Sequence, residues 1–110
     1  MNANGQTRDV FDAVADPTRR RLIRLLAEAG ELPLHELTPH FPMGRTAVSK
    51  HLAILKEAGL VEVRKAGRET RYRLNAAPLQ EIQNWVAFYS RFWSSNLARL
   101  SKLLEEEESE

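Results

Sequence analysis

Residues 44–60, GRTAVSKHLAILKEAGL, carry a helical pattern with a glycine at each end. Apolar residues recur in it at spacings of three and four, which predicts a helix with one buried face. The opposite positions hold small, polar or cationic side chains instead of the usual mixture of Lys and Glu. The buried face comprises Val48, Leu52 and Leu55, and the opposite face comprises Arg45, Thr46, Ser49, Lys50 and Ala53. The helix is therefore expected to attach to the fold on one side and to leave a slim cationic face on the other.

Two helices are predicted at the start of the chain. Apolar residues beginning at Val10 indicate a short first helix. The second is defined by clearer signals in residues 15–30, ADPTRRRLIRLLAEAG. Asp16 can cap this helix, Pro17 suits its first position and Gly30 can end it.

A third, shorter helix is predicted in residues 34–41, LHELTPHF. Pro39 has no amide proton to donate, so this helix is expected to be short or distorted. Residues 41–44, FPMG, then form a turn into the helix of residues 44–60. Together the two helices and the turn make a helix-turn-helix.

The periodicity changes from helical to alternating in residues 60–74, LVEVRKAGRETRYRL. Val61 and Val63 alternate with charged residues, Tyr72 and Leu74 do the same, and AGRE between them is a turn signal. This predicts a two-stranded hairpin that packs one face on the helices, because an isolated hairpin is only marginally stable in water. The other face is predicted to be basic.

One long helix is predicted for about residues 78–104. At ~1.5 Å per residue it would be about 40 Å long, which exceeds the width of a domain of this size. One apolar stripe comprises Leu79, Ile82, Val86, Tyr89, Trp93, Leu97, Leu100 and Leu104, and a second comprises Trp85, Phe88, Phe92 and Leu103. Two stripes need a surface besides the parent domain, and the same helix of a second copy is the most economical partner. Use of the whole helix inside a monomer is the alternative.

The composition of the 110-residue chain favours one domain. It has no cysteine, which excludes disulfides and thiolate metal sites. No apolar run suits a signal peptide or a membrane span, so we expect a cytoplasmic protein without a membrane partner.

The net charge of +1 conceals an asymmetry along the chain. Residues 105–110 hold five of the 15 acidic residues, whereas residues 44–75 hold eight Lys or Arg and three Glu. We predict a single domain in residues 1–104, an acidic tail in residues 105–110 and a polyanionic partner.

Double-stranded DNA suits the slim face of the helix in residues 44–60. In a major groove, Arg and Lys donate to guanine, hydroxyls bind bases or phosphates, and alanine packs on a thymine methyl. The hairpin would act as a wing whose cations neutralise phosphates or enter a minor groove. The predicted fold is therefore mainly α with a small β-hairpin, a winged helix-turn-helix in the order α-α-α-α-β-β-α. Its predicted DNA-binding residues are Arg45, Thr46, Ser49 and Lys50 on the helix and Arg64, Lys65, Arg68, Arg71 and Arg73 on the wing.

The sequence closely resembles the ArsR/SmtB family of bacterial winged helix-turn-helix repressors over roughly residues 8–104. The resemblance is carried by ADPTRRRLIRLL (15–26), RTAVSKHLAILKEAGLV (45–61) and GRETRYRLN (67–75). It implies a homodimer, joined through its first and last helices, that represses transcription from an operator with inverted half-sites. It also implies a wing tip at Gly67 and Arg68, with Arg45, Thr46, Ser49 and Lys50 as recognition positions. The dimer interface is then expected to include Phe11, Trp85, Phe88, Tyr89, Phe92 and Trp93.

Two departures from the family's pattern matter. Gly44 stands where the family commonly has a serine that caps the recognition helix, so one side-chain hydrogen bond is lost. Many members sense metals or arsenic through cysteines near the third helix, or through His and acidic residues on the last. This chain has no cysteine, and its histidines are His35, His40 and His51. We predict no usual metal site and no cofactor, an effector that the sequence does not identify, and a structural hydrogen bond for His51.

Two other functions are open at this stage. The scaffold could be a winged-helix module that binds another protein through the acidic tail or exposed aromatic side chains. It could also be a metal sensor with an atypical site of oxygen and nitrogen ligands. Catalysis has no support, because the sequence contains no convincing carboxylate pair and no Gly-rich phosphate loop. The leading prediction is a sequence-specific DNA-binding regulator that is not an enzyme.

Overall fold

The computed structural model describes residues 9–108, without the side chains of residues 94–98 and 108. The first eight residues of the predicted domain and the last two of the predicted acidic tail lie outside this range. The chain divides between Gln80 and Glu81 into two compact units.

The first unit is built from four α-helices and three β-strands. They are α1 (Val10–Ala13), α2 (Pro17–Ala29), β1 (Glu31–Pro33), α3 (Leu34–Leu37), α4 (Arg45–Glu57), β2 (Val61–Ala66) and β3 (Glu69–Leu74). A single 3-10 turn, Thr38–His40, follows α3 directly. The predicted succession of four helices and a hairpin is confirmed, and the structure adds the short strand β1.

Local signals determine where α2 and α3 begin and end. Asp16 Oδ2 accepts a hydrogen bond from the amide of Arg19 at 3.0 Å, and Pro17 is the first residue of α2. Gly30 ends α2 with a φ of +91°, a value that favours glycine. α3 makes one turn and then passes into the 3-10 turn that contains Pro39, which is the distortion that this proline predicts.

The strands form an antiparallel sheet in the order β1-β3-β2. The β2–β3 hairpin closes through Gly67 and Arg68, and Gly67 has a φ of +65°. A positive φ at only the first of two turn residues is typical of a type II′ turn, which favours glycine there. β1 is absent from the sequence-based prediction because three residues that end in a proline show too little alternation to indicate a strand.

The core of the first unit lies where α2, α3 and α4 meet the sheet. Its fully buried side chains include Leu22, Leu26, Leu37, Val48, Leu52, Leu55 and Leu60. Three of them form the predicted apolar face of α4, which is confirmed. Burial of this face sets the rotation of α4 about its axis and leaves Arg45, Thr46 and Lys50 exposed.

The C-terminal segment corrects the prediction of one uninterrupted helix. It forms α5 (Leu79–Phe88) and α6 (Ser90–Glu108), with a break at Tyr89. The amide of Tyr89 bonds to the Val86 carbonyl and the amide of Phe92 bonds to the Tyr89 carbonyl, both at 2.9 Å. These bonds span three residues and are tighter than those of an α-helix. Because the apolar spacing continues through the break, periodicity does not reveal it. α6 also includes residues 105–108, which the sequence assigns to the acidic tail.

Candidate nucleic-acid interface

α4 and the β2–β3 hairpin border an open concavity of about 600 Å³. The hairpin contributes Arg68, Glu69, Thr70 and Tyr72 to its lining. α4 contributes its entire predicted slim face, which is Arg45, Thr46, Ser49, Lys50 and Ala53. The fold therefore brings the helix face and a wing-tip cation, predicted separately from the sequence, onto one surface.

Besides Lys56, four cations on α4 and the hairpin have no acidic partner in the described part of the chain. They are Arg45, Lys50, Lys65 and Arg68, and all four are exposed. Lys65 lies opposite Thr70 in the hairpin, on the same face of the sheet as Tyr72. Because no carboxylate competes for these cations, they are available to neutralise phosphates.

Tyr72 lies in the concavity close to Arg45. Burial raises the pKa of the Tyr72 phenol, and the positive charge of Arg45 opposes this shift. The phenol is therefore neutral at physiological pH and does not offset the charge of the guanidinium. It presents a polar group that can donate or accept a hydrogen bond beside a cation.

The start of α4 has no side-chain cap. Gly44 is the N-cap residue in an extended conformation, and it makes no side-chain hydrogen bond, in agreement with the departure noted in the sequence. The first-turn amides of a helix have no partner within the helix. A phosphate is attracted to such amides and to the positive end of the helix dipole.

Arg19 holds α4 to α1 and α2. Its Nε donates to the Ala13 carbonyl at 2.8 Å, and its Nη1 lies 3.3 Å from His51 Nδ1. Asp16 Oδ2, which caps α2, lies 3.9 Å from the same imidazole nitrogen. The hydrogen bond predicted for His51 is present, and that its role is structural stays a prediction. Arg19 is a functional residue that the sequence does not reveal, because its partners lie on other elements and no spacing rule connects them.

The outer face of the sheet differs from the basic surface that the alternation predicts. Glu31 Oε2 accepts hydrogen bonds from Arg71 Nε at 2.7 Å and from Arg64 Nε at 3.0 Å. Arg71 Nη1 also donates to Glu69 Oε1 at 2.7 Å. The bonds from Arg64 and Arg71 lower the pKa of Glu31, and Glu31 and Glu69 together raise the pKa of Arg71. That Arg64 and Arg71 contact DNA stays a prediction, and in the structure both are engaged by carboxylates.

The His35 side chain forms a hydrogen bond with the hairpin. Its Nε2 lies 3.0 Å from Glu69 Oε2. This hydrogen bond, together with the one from Arg71, lowers the pKa of Glu69. Within residues 9–108, no three His, Asp or Glu side chains come together as a group that could hold a metal ion.

The residues predicted at a dimer interface lie on α1, on α5 and α6, and at the break between α5 and α6. The most exposed of these side chains are Phe88 at 64%, Phe92 at 56% and Trp85 at 55%. The side chains of Tyr89 and Trp93 are also exposed, whereas Phe11 on α1 is half-buried. That these residues form an interface stays a prediction.

None of the helices in the described range combines the length and the apolar character that a membrane span requires.

Comparison with known proteins gives a consistent result. Residues 16–63 match the bacterial regulatory proteins of the arsR family. The transcriptional repressor SdpR of Bacillus subtilis (strain 168) is 36% identical over 78 residues, which cover 71% of this chain and 86% of SdpR. The HTH-type transcriptional regulator Rv2034 of Mycobacterium tuberculosis is 37% identical over 97 residues, which cover 88% of this chain and 87% of Rv2034. The solved structure of an ArsR-like transcriptional regulator from Rhodococcus sp. RHA1 is 33% identical, with a TM-score of 0.68 and 88% of each chain covered.

Proposed function

Because this chain belongs to the arsR family of bacterial regulatory proteins, we propose that it is a homodimeric repressor that binds an operator with inverted half-sites. The chain is a DNA-binding transcriptional regulator and not an enzyme. The observation that carries the finer proposal is the shared surface of α4 and the wing tip. Three cations without an acidic partner in residues 9–108, Arg45, Lys50 and Arg68, line this concave surface together with hydroxyl groups, and Lys65 lies on the same hairpin.

The N-terminal half of α4 enters a DNA major groove in this proposal. Arg45 donates to guanine O6 and N7, and Lys50 contacts a second guanine or a phosphate. Thr46 and Ser49 supply hydroxyls for bases or phosphates, and the small side chain of Ala53 allows close approach to a thymine methyl. The uncapped first turn of α4 adds backbone amides at the edge of the groove.

The wing tip follows the DNA backbone beside the same half-site. Lys65 and Arg68 neutralise phosphates, and Gly67 turns the chain tightly enough to place Arg68 at the end of the hairpin. Contacts to phosphates contribute affinity and orientation, whereas the contacts of α4 contribute sequence preference.

A second copy of the chain completes the DNA-binding unit. The exposed aromatic side chains of α5 and α6 provide a large apolar surface, and a twofold axis through paired copies would present two α4 helices to inverted half-sites. The interface comprises Phe11, Trp85, Phe88, Tyr89, Phe92 and Trp93. Binding of an operator requires the protein to be in the cytoplasm, which is the location that we propose.

Fluorescence anisotropy with labelled duplexes tests this proposal. The wild-type protein is titrated against the DNA upstream of its own gene and against a random-sequence duplex, at salt concentrations from about 50 to 200 mM. We expect a preference for the upstream duplex and a log–log salt slope that corresponds to several phosphates, at about −0.9 per phosphate. Equal, salt-insensitive binding of both duplexes would contradict the proposal.

A further inference from the structure

Glu31 lies between two arginines that face each other across the hairpin. In the register of β2 and β3, Arg64 is directly opposite Arg71. Like charges in this position repel and destabilise a sheet. Glu31 Oε2 lies 2.8 Å from Arg64 Nη2 and 2.7 Å from Arg71 Nε, so one carboxylate on β1 links this strand to both strands of the hairpin.

Two further carboxylates complete the neutralisation of this face. Glu69 pairs with Arg71, and Glu62 pairs with Arg73 on the neighbouring strand. Three arginines therefore face three glutamates, and the outer face of the sheet has no net charge from these side chains. The wing tip is different, because Lys65 and Arg68 have no acidic partner in the part of the chain that the structure describes.

Of the two arginines that Glu31 binds, Arg64 is the one that could more easily reach DNA. It is next to Lys65 in the chain, although on the opposite face of the sheet, and its side chain is 61% exposed, compared with 27% for Arg71. Arg71 also has Glu69 as a second partner, so loss of Glu31 alone would leave it paired. The Glu31 side chain is 22% exposed and is also bound by Arg71, so its carboxylate is held in place beside Arg64 and competes with a phosphate for that guanidinium.

We propose that Glu31 is a specificity-determining residue whose carboxylate withholds Arg64 from the phosphates of DNA. The inference rests on the proposed function. An arginine that contacts phosphate strengthens binding to every sequence about equally, because the phosphate backbone carries no sequence information. Keeping Arg64 engaged by Glu31 restricts phosphate contacts to the wing tip and α4. The difference in affinity between operator and random DNA is thereby preserved.

The test compares the wild-type chain with Glu31→Gln on operator and random duplexes over a range of salt. The variant should bind random DNA roughly three- to tenfold more tightly near 0.1 M salt, with a salt slope steeper by about one phosphate. Its affinity ratio of operator to random DNA should fall. A structural role alone would weaken binding without steepening the slope, so the slope separates the two roles.

Two matched variants control for charge and for the identity of the released arginine. Glu36→Gln removes the same charge from an exposed position on α3 that forms no ion pair in the described residues. It should leave the slope close to that of the wild type. The double variant Glu31→Gln/Arg64→Gln should return the slope to the wild-type value, because the released guanidinium is removed.

Arg64→Gln in the wild-type background keeps the proposal testable even if Glu31→Gln folds poorly. We expect its salt slope to equal that of the wild type, because Arg64 does not contact phosphate. A slope flatter by about one phosphate would overturn the inference. An unchanged slope in a folded Glu31→Gln variant would also overturn it while leaving the proposed function intact. Absence of salt-dependent DNA binding by the wild type would instead contradict the proposed function.

Discussion

Arg19 on α2 and His51 on α4 are joined by a contact of 3.3 Å between Arg19 Nη1 and His51 Nδ1. Arginine only donates hydrogen bonds, so in this contact His51 Nδ1 is the acceptor. The same guanidinium donates to the Ala13 carbonyl at the end of α1. Arg19 therefore fixes the position of α4 relative to α1 and α2. α4 is the helix that carries the proposed recognition residues.

Replacement of Arg19 by alanine should destabilise the fold. Hydrogen bonds that involve a charged partner contribute about 1.5 to 3 kcal/mol, and the part-buried carbonyl of Ala13 would lose its donor. We expect the free energy of unfolding to fall by about 1 to 3 kcal/mol in urea denaturation. Arg24→Ala is the control, because Arg24 pairs with Glu28 on the exposed side of α2 and should change stability by less than about 0.5 kcal/mol. Equal stability of the two variants would contradict the role of Arg19.

Arg68→Ala should weaken binding to operator and random DNA by about the same factor. Arg68 lies at the wing tip and has no acidic partner within residues 9–108, and a phosphate contact carries no sequence information. The log–log salt slope should flatten by about one unit. Arg24→Ala should leave the slope unchanged. A loss of affinity confined to the operator would indicate that Arg68 reads a base instead.

The ion pairs of Glu31 should make the stability of the wing depend on pH. Hydrogen bonds from Arg64 and Arg71 lower the pKa of Glu31 from its ordinary value of 4.5. A carboxylate with a lowered pKa in the folded state stabilises the fold above its unfolded value and loses this contribution as pH falls through the folded value. The wild type should therefore be more stable than Glu31→Gln above about pH 4.5, and the difference should vanish at lower pH. Urea midpoints measured from pH 7 to pH 3 check this, and a pH-independent difference would contradict it.

Trp93→Glu should convert the proposed homodimer into monomers. Trp93 is 46% exposed on α6, and a charge placed in an apolar interface between two copies would be buried without a partner. Sedimentation equilibrium should give twice the chain mass for the wild type and the single chain mass for the variant. Lys102→Glu lies outside both apolar stripes of the same helix and should remain dimeric. A dimer that survives Trp93→Glu would place the interface elsewhere.

The parts of the fold that depend on neighbouring residues could be predicted from the sequence. Asp16, Pro17 and Gly30 bound α2 because capping and helix termination involve residues within one turn. The slim face of α4 followed from spacing alone, since burial of Val48 and Leu52 determines which side chains remain outside.

The parts that depend on distant residues could not be predicted. Glu31 lies 33 residues from Arg64 and 40 from Arg71, and no periodicity connects them. β1 has only three residues, so it is defined by its pairing with β3 and not by its own pattern. The break at Tyr89 depends on backbone hydrogen bonds that leave the apolar spacing intact. For these reasons the sequence indicated a uniformly basic wing and one continuous last helix.

The central claim is that α4 reads base pairs through Arg45. Genomic fragments should be selected in parallel by the wild-type protein, by Arg45→Ala and by Lys56→Ala, which alters an exposed cation on α4 outside the concavity. The wild type and Lys56→Ala should enrich the same inverted repeat. Arg45→Ala should bind it about 1 to 3 kcal/mol more weakly and lose preference at one base pair in each half-site. Enrichment of an identical motif with unchanged affinity by Arg45→Ala would contradict the placement of α4 in the major groove.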